Sequence, residues 1–346
     1  MKKLVLCFDR NRGISEPEIA TSAYRISHLS DDTPGQVTWY HSGTAANTGK
    51  ALRPYRAAVD DARAAIAEAY RFLLDRWEPG DPIYLFGVGR GGFCAQALTR
   101  LLATVGVLPE LADFVLNAYA LPRTGRTEQD WSRVTQLASQ LDQQREIPVP
   151  VRFLGLWDAI RVPGFARRAV PAPMSNVESG RHAVAIDGRP GERSLASERI
   201  EEVWFRGAHC DVAGGPGACK PLADVAFDWV LDGAIGAGLT VSDERLNTLP
   251  TPGQHDALAE TAHTISIRRL PEDAAVHASV ELYLRDHPQY WKRLPARVTW
   301  ADLDWAARGE RLVHVAGATD VAAAPLEESF NELVSNITEL SPAGQS

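Results

Sequence analysis

The chain lacks the features that mark membrane proteins, zinc proteins and disulfide-rich proteins. No stretch of its 346 residues approaches the roughly 18 uncharged residues that span a bilayer. The apolar run near Met1 stops at Asp9, which is too short for the core of a secretory signal peptide. The four cysteines show neither paired zinc-ligand spacing nor a dense disulfide pattern. These absences predict a cytoplasmic protein with reduced cysteines, without a metal or cofactor; they leave export by a specialised secretion system open.

The chain also lacks an excess of positive charge. Its formal net charge is −8, which argues against a broad surface for polyanions and therefore against nucleic acid as a partner. With 45% hydrophobic and 23% charged residues, the composition is that of a globular protein rather than a disordered one. We expect a single domain over residues 1–340 and a flexible tail over 341–346.

Strand and helix patterns alternate along the chain. Short apolar runs predict strands at 4–8, 83–86, 149–157 and 201–205, and apolar residues at helical spacing predict helices at 55–77, 92–105 and 222–237. This alternation predicts an α/β fold with a doubly wound, mostly parallel sheet. The polar segment 121–146 is expected outside the core, and segment 162–199, rich in Pro, Arg and Ser, is expected to form a lid or insertion.

A serine is missing where a strand meets a helix. The segment 84–94 runs from an apolar strand through a glycine-crowded turn into a helix. In α/β hydrolases this turn is the nucleophile elbow, Gly-x-Ser-x-Gly, which lifts the serine hydroxyl above the sheet. Gly87 and Gly91 stand at the two glycine positions, but Gly89 occupies the nucleophile position. A turn with glycines on both sides predicts a positive φ at Gly89.

Further segments carry a resemblance to a known family. They are Leu4-Val5-Leu6-Cys7-Phe8-Asp9, residues 66–81, Phe153-Leu154-Gly155-Leu156-Trp157-Asp158, residues 181–187 and residues 202–215. In this order they resemble the bacterial α/β-hydrolase family that includes the catalytic domains of type VI secretion phospholipase effectors. The resemblance spans roughly residues 1–295. It implies an α/β-hydrolase-type fold and a serine hydrolase acting on esters or phospholipids.

The resemblance also implies a set of site residues. Gly89, Asp158 and His209 follow the order nucleophile, acid, histidine of this fold, and Asp158 and His209 each come after a strand. We expect Asp158 and His209 to lie within hydrogen-bond distance, and Asp211 to orient the histidine loop. Taken alone, Asp158 could equally be a helix-capping or loop carboxylate, and a lone histidine is more often structural than catalytic.

Other positions depart from the family pattern. Asp9-Arg10-Asn11 stands where the family usually has Asp-Gly-Thr, a turn whose backbone amides contribute to the oxyanion hole. The resemblance implies that Asp9, Arg10 and Arg90 belong to the oxyanion hole and its loops. Arg10 replaces a glycine, which costs energy or reshapes the loop if that glycine needs a positive φ. Gly188 likewise replaces a more usual glutamate. Several substitutions in one region indicate that the site diverged naturally from the family pattern, rather than through a single engineered substitution.

Three hypotheses follow for function. The first is a pseudoenzyme with a degenerate triad that binds a lipid or ester ligand or regulates a partner, because losing the serine removes a rate factor on the order of 10⁶. The second is an active ester or lipid hydrolase that uses an activated water or a displaced nucleophile, with Cys7, Cys94 and Cys210 as the cysteine candidates. The third is a protein-interaction module, such as a partner of an active relative.

Overall fold

The fold is known from a computed structural model. It describes residues 1–9, 20–30, 33–43, 54–109, 127–141, 148–162, 174–188, 199–247, 256–261 and 268–305. Arg10 and the predicted tail therefore lie outside the described residues. Among the described helices, none has both the length and the apolar character that crossing a membrane requires.

In the part of the chain that the structure describes, eight parallel strands form one sheet in the order β2-β1-β3-β4-β5-β6-β7-β8. They are β1 (Lys3–Phe8), β2 (Gln36–His41), β3 (Ile83–Val88), β4 (Val151–Trp157), β5 (Gly180–Ala185), β6 (Ile200–Phe205), β7 (Ala274–His277) and β8 (Val298–Ala301). The central strands β1 and β3 are almost entirely buried, as expected for strands covered on both faces. The predicted parallel sheet is confirmed.

Helices cover both faces of the sheet. They are α1 (Ser22–Ser30), α2 (Pro54–Arg76), α3 (Arg90–Thr104), α4 (Glu128–Leu141), α5 (His209–Ala213), α6 (Lys220–Gly236), α7 (Asp243–Leu246) and α8 (Ala278–Asp286), with a 3₁₀ helix at Pro288–Arg293. Alternate residues of β1 separate the two layers: Leu4, Leu6 and Phe8 pack with α2 and α3, whereas Val5 and Cys7 pack with α1 and α6. This arrangement confirms the predicted doubly wound fold.

The winding direction reverses between β1 and β3. From β1 the chain crosses by α1 to β2 on one side, and it returns by α2 to β3 on the other side. In open parallel sheets the crevice at such a switch point, beyond the carboxyl ends of the strands, is where ligands bind. The carboxyl ends of β1 and β3 lead to Asp9 and Gly89, so the topology brings these two predicted positions to the same crevice.

The prediction of a lid or insertion over residues 162–199 is wrong for residues 180–185. Residues 180–185 form β5, which is hydrogen-bonded between β4 and β6 and buried at five of its six positions. Pro- and Arg-rich sequence on both sides led to the lid prediction, although His182 to Ile186 is a short apolar run typical of a buried strand. Segments 163–173 and 189–198 of the predicted lid lie outside the described residues. Val134 of α4 also joins the core, within a segment predicted to lie outside it.

Candidate active site

Gly89 forms a tight turn between β3 and α3. Its backbone has φ 56° and ψ −115°, so the predicted positive φ is present. Main-chain hydrogen bonds fix the turn to the strand beside it: the Gly89 N–H donates to the Trp157 carbonyl at 3.0 Å, and the Ile160 N–H donates to the Gly89 carbonyl at 3.0 Å. A residue with a side chain would be strained in this region of φ/ψ space, and glycine relieves that strain.

Gly87 and Gly91, on either side of the turn, lie so close to neighbouring backbone atoms that there is no room for a side chain. A Cβ on Gly87 would lie 2.5 Å from the Gly92 Cα, and a Cβ on Gly91 would lie 2.3 Å from the Phe8 carbonyl oxygen. Both distances are shorter than real Cβ contacts. Helix α3 therefore begins against the end of β1, and the turn has the close packing of a nucleophile elbow.

Asp158 lies directly after β4, beside this turn. Its side chain is 2% exposed, and its backbone adopts a positive φ of 41°. The Asp158 N–H donates to the Ala183 carbonyl at 2.7 Å, and its Oδ1 accepts from the Ala185 N–H at 3.2 Å. Strand β5 thus holds both the backbone and the carboxylate of Asp158.

His209 begins α5, immediately after the loop that leaves β6. Asp211 fixes this loop: its buried carboxylate accepts from the N–H groups of Ala208 and Cys219, both at 2.8 Å, and from the Thr261 hydroxyl at 2.7 Å. These contacts agree with the loop-orienting role expected of Asp211. They leave the His209 side chain 27% exposed at the edge of the site.

The structure brings Asp158 and His209 together. The His209 Nδ1 lies 2.8 Å from the Asp158 Oδ2. An ionised carboxylate can only accept hydrogen bonds, so Nδ1 carries the hydrogen and, in the neutral ring, Nε2 is left as an acceptor. This is the arrangement in which a histidine receives a proton from a nucleophile in a triad. The pair has the geometry of a catalytic dyad, next to a turn without a nucleophilic side chain.

Electrostatics keep Asp158 ionised despite its burial. Burial alone raises the pKa of this carboxyl, but the hydrogen bond and charge of His209, together with Arg268, outweigh it and hold the pKa well below its usual range. An unfolded aspartate binds a proton near pH 4, whereas the folded one does so only at lower pH. The pair therefore stabilises the fold above about pH 4, and this stability is lost as the pH falls further.

This linkage gives a measurable pH dependence. We expect the free energy of unfolding of an Asp158→Asn variant to fall less steeply than that of the wild type between about pH 4 and pH 2, by up to about 1.4 kcal/mol per pH unit. Urea melts at several pH values measure the slope. An Asp232→Asn variant, which changes a largely exposed carboxylate, serves as the control and should parallel the wild type. Equal slopes for Asp158→Asn and wild type would contradict the ionised state assigned to Asp158.

The structure describes two of the residues predicted for the oxyanion hole and its loops, Asp9 and Arg90. The Asp9 N–H donates to the His41 carbonyl at 2.9 Å, so this amide is already engaged with β2. The buried Asp9 carboxylate accepts from the hydroxyls of Tyr40, at 2.7 Å, and Thr21. Arg90 is the first residue of α3 and is partly exposed.

A cavity lies at the switch point, beside the elbow. Its interior of about 10 Å³ has room for about one water molecule. Polar side chains of Asp9, His41 and Arg90 line it together with an apolar wall, which includes Phe8, Ala58, Ala62, Ala65, Cys94 and Val162.

The cysteines differ in how suited they are to act as nucleophiles. Cys7 is buried in β1, and its burial raises the pKa of the thiol well above the ordinary value. Burial raises the pKa of Cys94 to about 12, which leaves almost no thiolate at neutral pH. Cys210 is partly exposed and follows His209, but its Sγ is directed to the Gly217 carbonyl at 4.0 Å.

Two residues at the site were not identified from the sequence. The Arg268 guanidinium contacts the Asp158 carboxylate, although the two residues are 110 positions apart in the chain. The buried His182 of β5 accepts through Nε2 from the Ala159 N–H at 3.0 Å and so fixes the residue after Asp158. An isolated arginine carries no motif, so no sequence signal identifies Arg268. His182 lies in the resembling segment 181–187 and could have been examined there.

A family model and a curated protein match the sequence of this chain. The family model of the T6SS phospholipase effector Tle1-like catalytic domain matches residues 2–233. A Saccharomyces cerevisiae protein described as uncharacterized is 29% identical over 217 residues, which covers 55% of this chain and 32% of the yeast protein.

Two solved structures are also similar. An uncharacterized protein from Pseudomonas aeruginosa has a TM-score of 0.40 and 14% identity, covering 97% of this chain and 53% of that one. The Tle1 effector bound to the VgrG spike of the type 6 secretion system has a TM-score of 0.35 and 15% identity, covering 62% and 51%. The chain thus spans about a third to a half of the length of these proteins.

Proposed function

Because the chain belongs to the family of Tle1-like phospholipase effector catalytic domains, we propose that it is a pseudoenzyme of this hydrolase fold. In this proposal Asp158 and His209 are the remaining acid and base of a triad, and Gly89 stands where the nucleophile was. One observation carries the proposal: an elbow with the backbone geometry of a nucleophile turn lies beside an Asp-His pair with catalytic geometry and offers no side-chain oxygen. The protein binds its ligand without forming an acyl-enzyme.

The expected loss of catalysis is large. Acyl transfer by a triad needs an atom that attacks the substrate carbonyl, and removing that atom lowers the rate by a factor on the order of 10⁶, or about 8 kcal/mol of barrier. Ligand binding does not need this atom. The ligand in this proposal is an ester or phospholipid, the substrate class of the phospholipase effectors for which the family model is named.

A second candidate is hydrolysis by an activated water. The intact hydrogen bond between Asp158 and His209 favours it, because a histidine oriented by a carboxylate can take a proton from water as well as from serine. Such a reaction forms no covalent intermediate. It would depend on His209, and it would be slow, since water is not positioned by the elbow.

A direct test compares labelling and turnover in the wild-type protein. We expect no labelling of the site by a fluorophosphonate probe and no burst of product with p-nitrophenyl esters of short and long acyl chains, because Gly89 has no oxygen to be acylated. An active serine esterase serves as the positive control, and the His209→Ala variant as the negative one.

Three results would count against the pseudoenzyme. Stoichiometric labelling or a burst in the wild type would reveal another nucleophile. Turnover without a burst that is lost in His209→Ala would favour the activated water. Turnover that is abolished in Cys210→Ala would favour a displaced cysteine nucleophile.

A further inference from the structure

Asp158 is held by an arginine as well as by His209. Arg268 is 7% exposed, and its Nη1 donates both to the Asp158 Oδ1 and, at 3.0 Å, to the Ala185 carbonyl, while its Nη2 lies 3.4 Å from the Asp158 Oδ2. The guanidinium therefore contacts both oxygens of the carboxylate. Arg268 lies outside the residues that the family model matches, so it is supplied by the later part of this chain.

Gly188 provides the space for this guanidinium. A Cβ at position 188 would lie 2.7 Å from the Arg268 Cζ and 2.7 Å from its Nη2. Any other residue at 188 would push the guanidinium away from its present position. Because Gly188 follows β5 and the Ala185 N–H donates to the Asp158 Oδ1, one strand end organises the carboxylate from two sides.

We propose that Arg268, given room by Gly188, is the positioning residue of the Asp158–His209 pair. The inference rests on the proposed function for the role of the pair. Arg268 fixes the direction of the carboxylate oxygens and, together with His209, keeps the buried carboxylate ionised. An ionised carboxylate accepts the Nδ1 hydrogen of His209, which holds the neutral ring in one tautomer and leaves Nε2 as an acceptor.

The consequence of losing Arg268 follows from its contacts with both oxygens of Asp158. Without the guanidinium, the carboxylate oxygens are held less firmly, and their hydrogen bond to the His209 Nδ1 weakens. The neutral ring can then carry its hydrogen on Nε2 instead of Nδ1. Residues that act only in packing would not change the tautomer of His209.

The test is ¹⁵N NMR of the wild-type protein with labelled histidine, at about pH 8 where an ordinary imidazole is neutral. The His209 signals are assigned by their loss in His209→Gln. We expect the Nδ1–H tautomer in the wild type, a mixture of both tautomers in Arg268→Gln, and a smaller change in the same direction in Gly188→Ala. Gly188→Ala keeps the arginine and displaces only the end of its flexible side chain, so it is the variant less at risk of unfolding.

The matched control is Arg25→Gln, which removes a different arginine, one that is paired with the buried Asp224 at 2.8 Å rather than with Asp158. It should leave the His209 tautomer unchanged. An unchanged tautomer in folded Arg268→Gln, or in Gly188→Ala if Arg268→Gln does not fold, would overturn the proposal, as would an equal change in Arg25→Gln. The measurement needs no turnover, so its outcome is independent of whether the protein is a pseudoenzyme.

Discussion

A Gly89→Ser variant is expected to react with a fluorophosphonate probe and to gain esterase activity on the order of 10²-fold or more over the wild type. The reason is that serine at this turn would stand beside a histidine already oriented by Asp158, which is what activates a serine for attack. The same variant should lose about 1–3 kcal/mol of unfolding free energy, since φ 56° and ψ −115° are strained for any residue with a side chain. Probe labelling, ester hydrolysis and urea melts measure the three effects.

Two further variants separate the chemistry from the strain. Gly89→Ala introduces the same backbone strain without a hydroxyl, so it should be destabilised to a similar extent and remain unlabelled. In the double variant Gly89→Ser, His209→Ala, labelling and activity should disappear again. A folded Gly89→Ser variant that neither labels nor hydrolyses esters would contradict the interpretation of the turn as an elbow poised for catalysis.

Gly91→Ala is expected to lower the unfolding free energy by about 3 kcal/mol, one of the largest effects of a single added methyl group in this chain. The new Cβ would meet the carbonyl oxygens of Phe8, at 2.3 Å, and Asp9, at 2.8 Å. These are backbone atoms at the end of a buried strand, so they cannot turn aside as a flexible side chain would. Relief requires α3 to move away from β1.

Gly236→Ala is the matched control for this prediction. It makes the same change at the last residue of α6, where nothing lies within 4 Å of the added Cβ. We expect it to be neutral or to stabilise the protein by about 0.5 kcal/mol, through the reduced freedom of the unfolded chain. Urea melts of both variants give the comparison. A Gly91→Ala protein as stable as wild type would mean that α3 is not held against the end of β1.

The sequence by itself determined the elements whose signals are local. Apolar runs and helical spacing placed β1, α2, β3 and α3 to within a few residues, because burial on one or both faces leaves a periodic pattern in the chain. The glycines at 87, 89 and 91 predicted the tight turn and its positive φ, since few other residues allow such close backbone contact. The order Gly89, Asp158, His209, together with the family resemblance, predicted that the acid and the histidine meet.

Only the tertiary structure decided what surrounds that pair. Strand β5 was interpreted as part of a lid because its six residues are flanked by Pro- and Arg-rich sequence, and pairing with β4 and β6 overrides that composition. Arg268 has no neighbouring motif, yet it contacts a carboxylate 110 positions away. The physical reason is the same in both cases: strand pairing and buried ion pairs are made between distant segments, and a single sequence records the residues but not which of them the fold brings into contact.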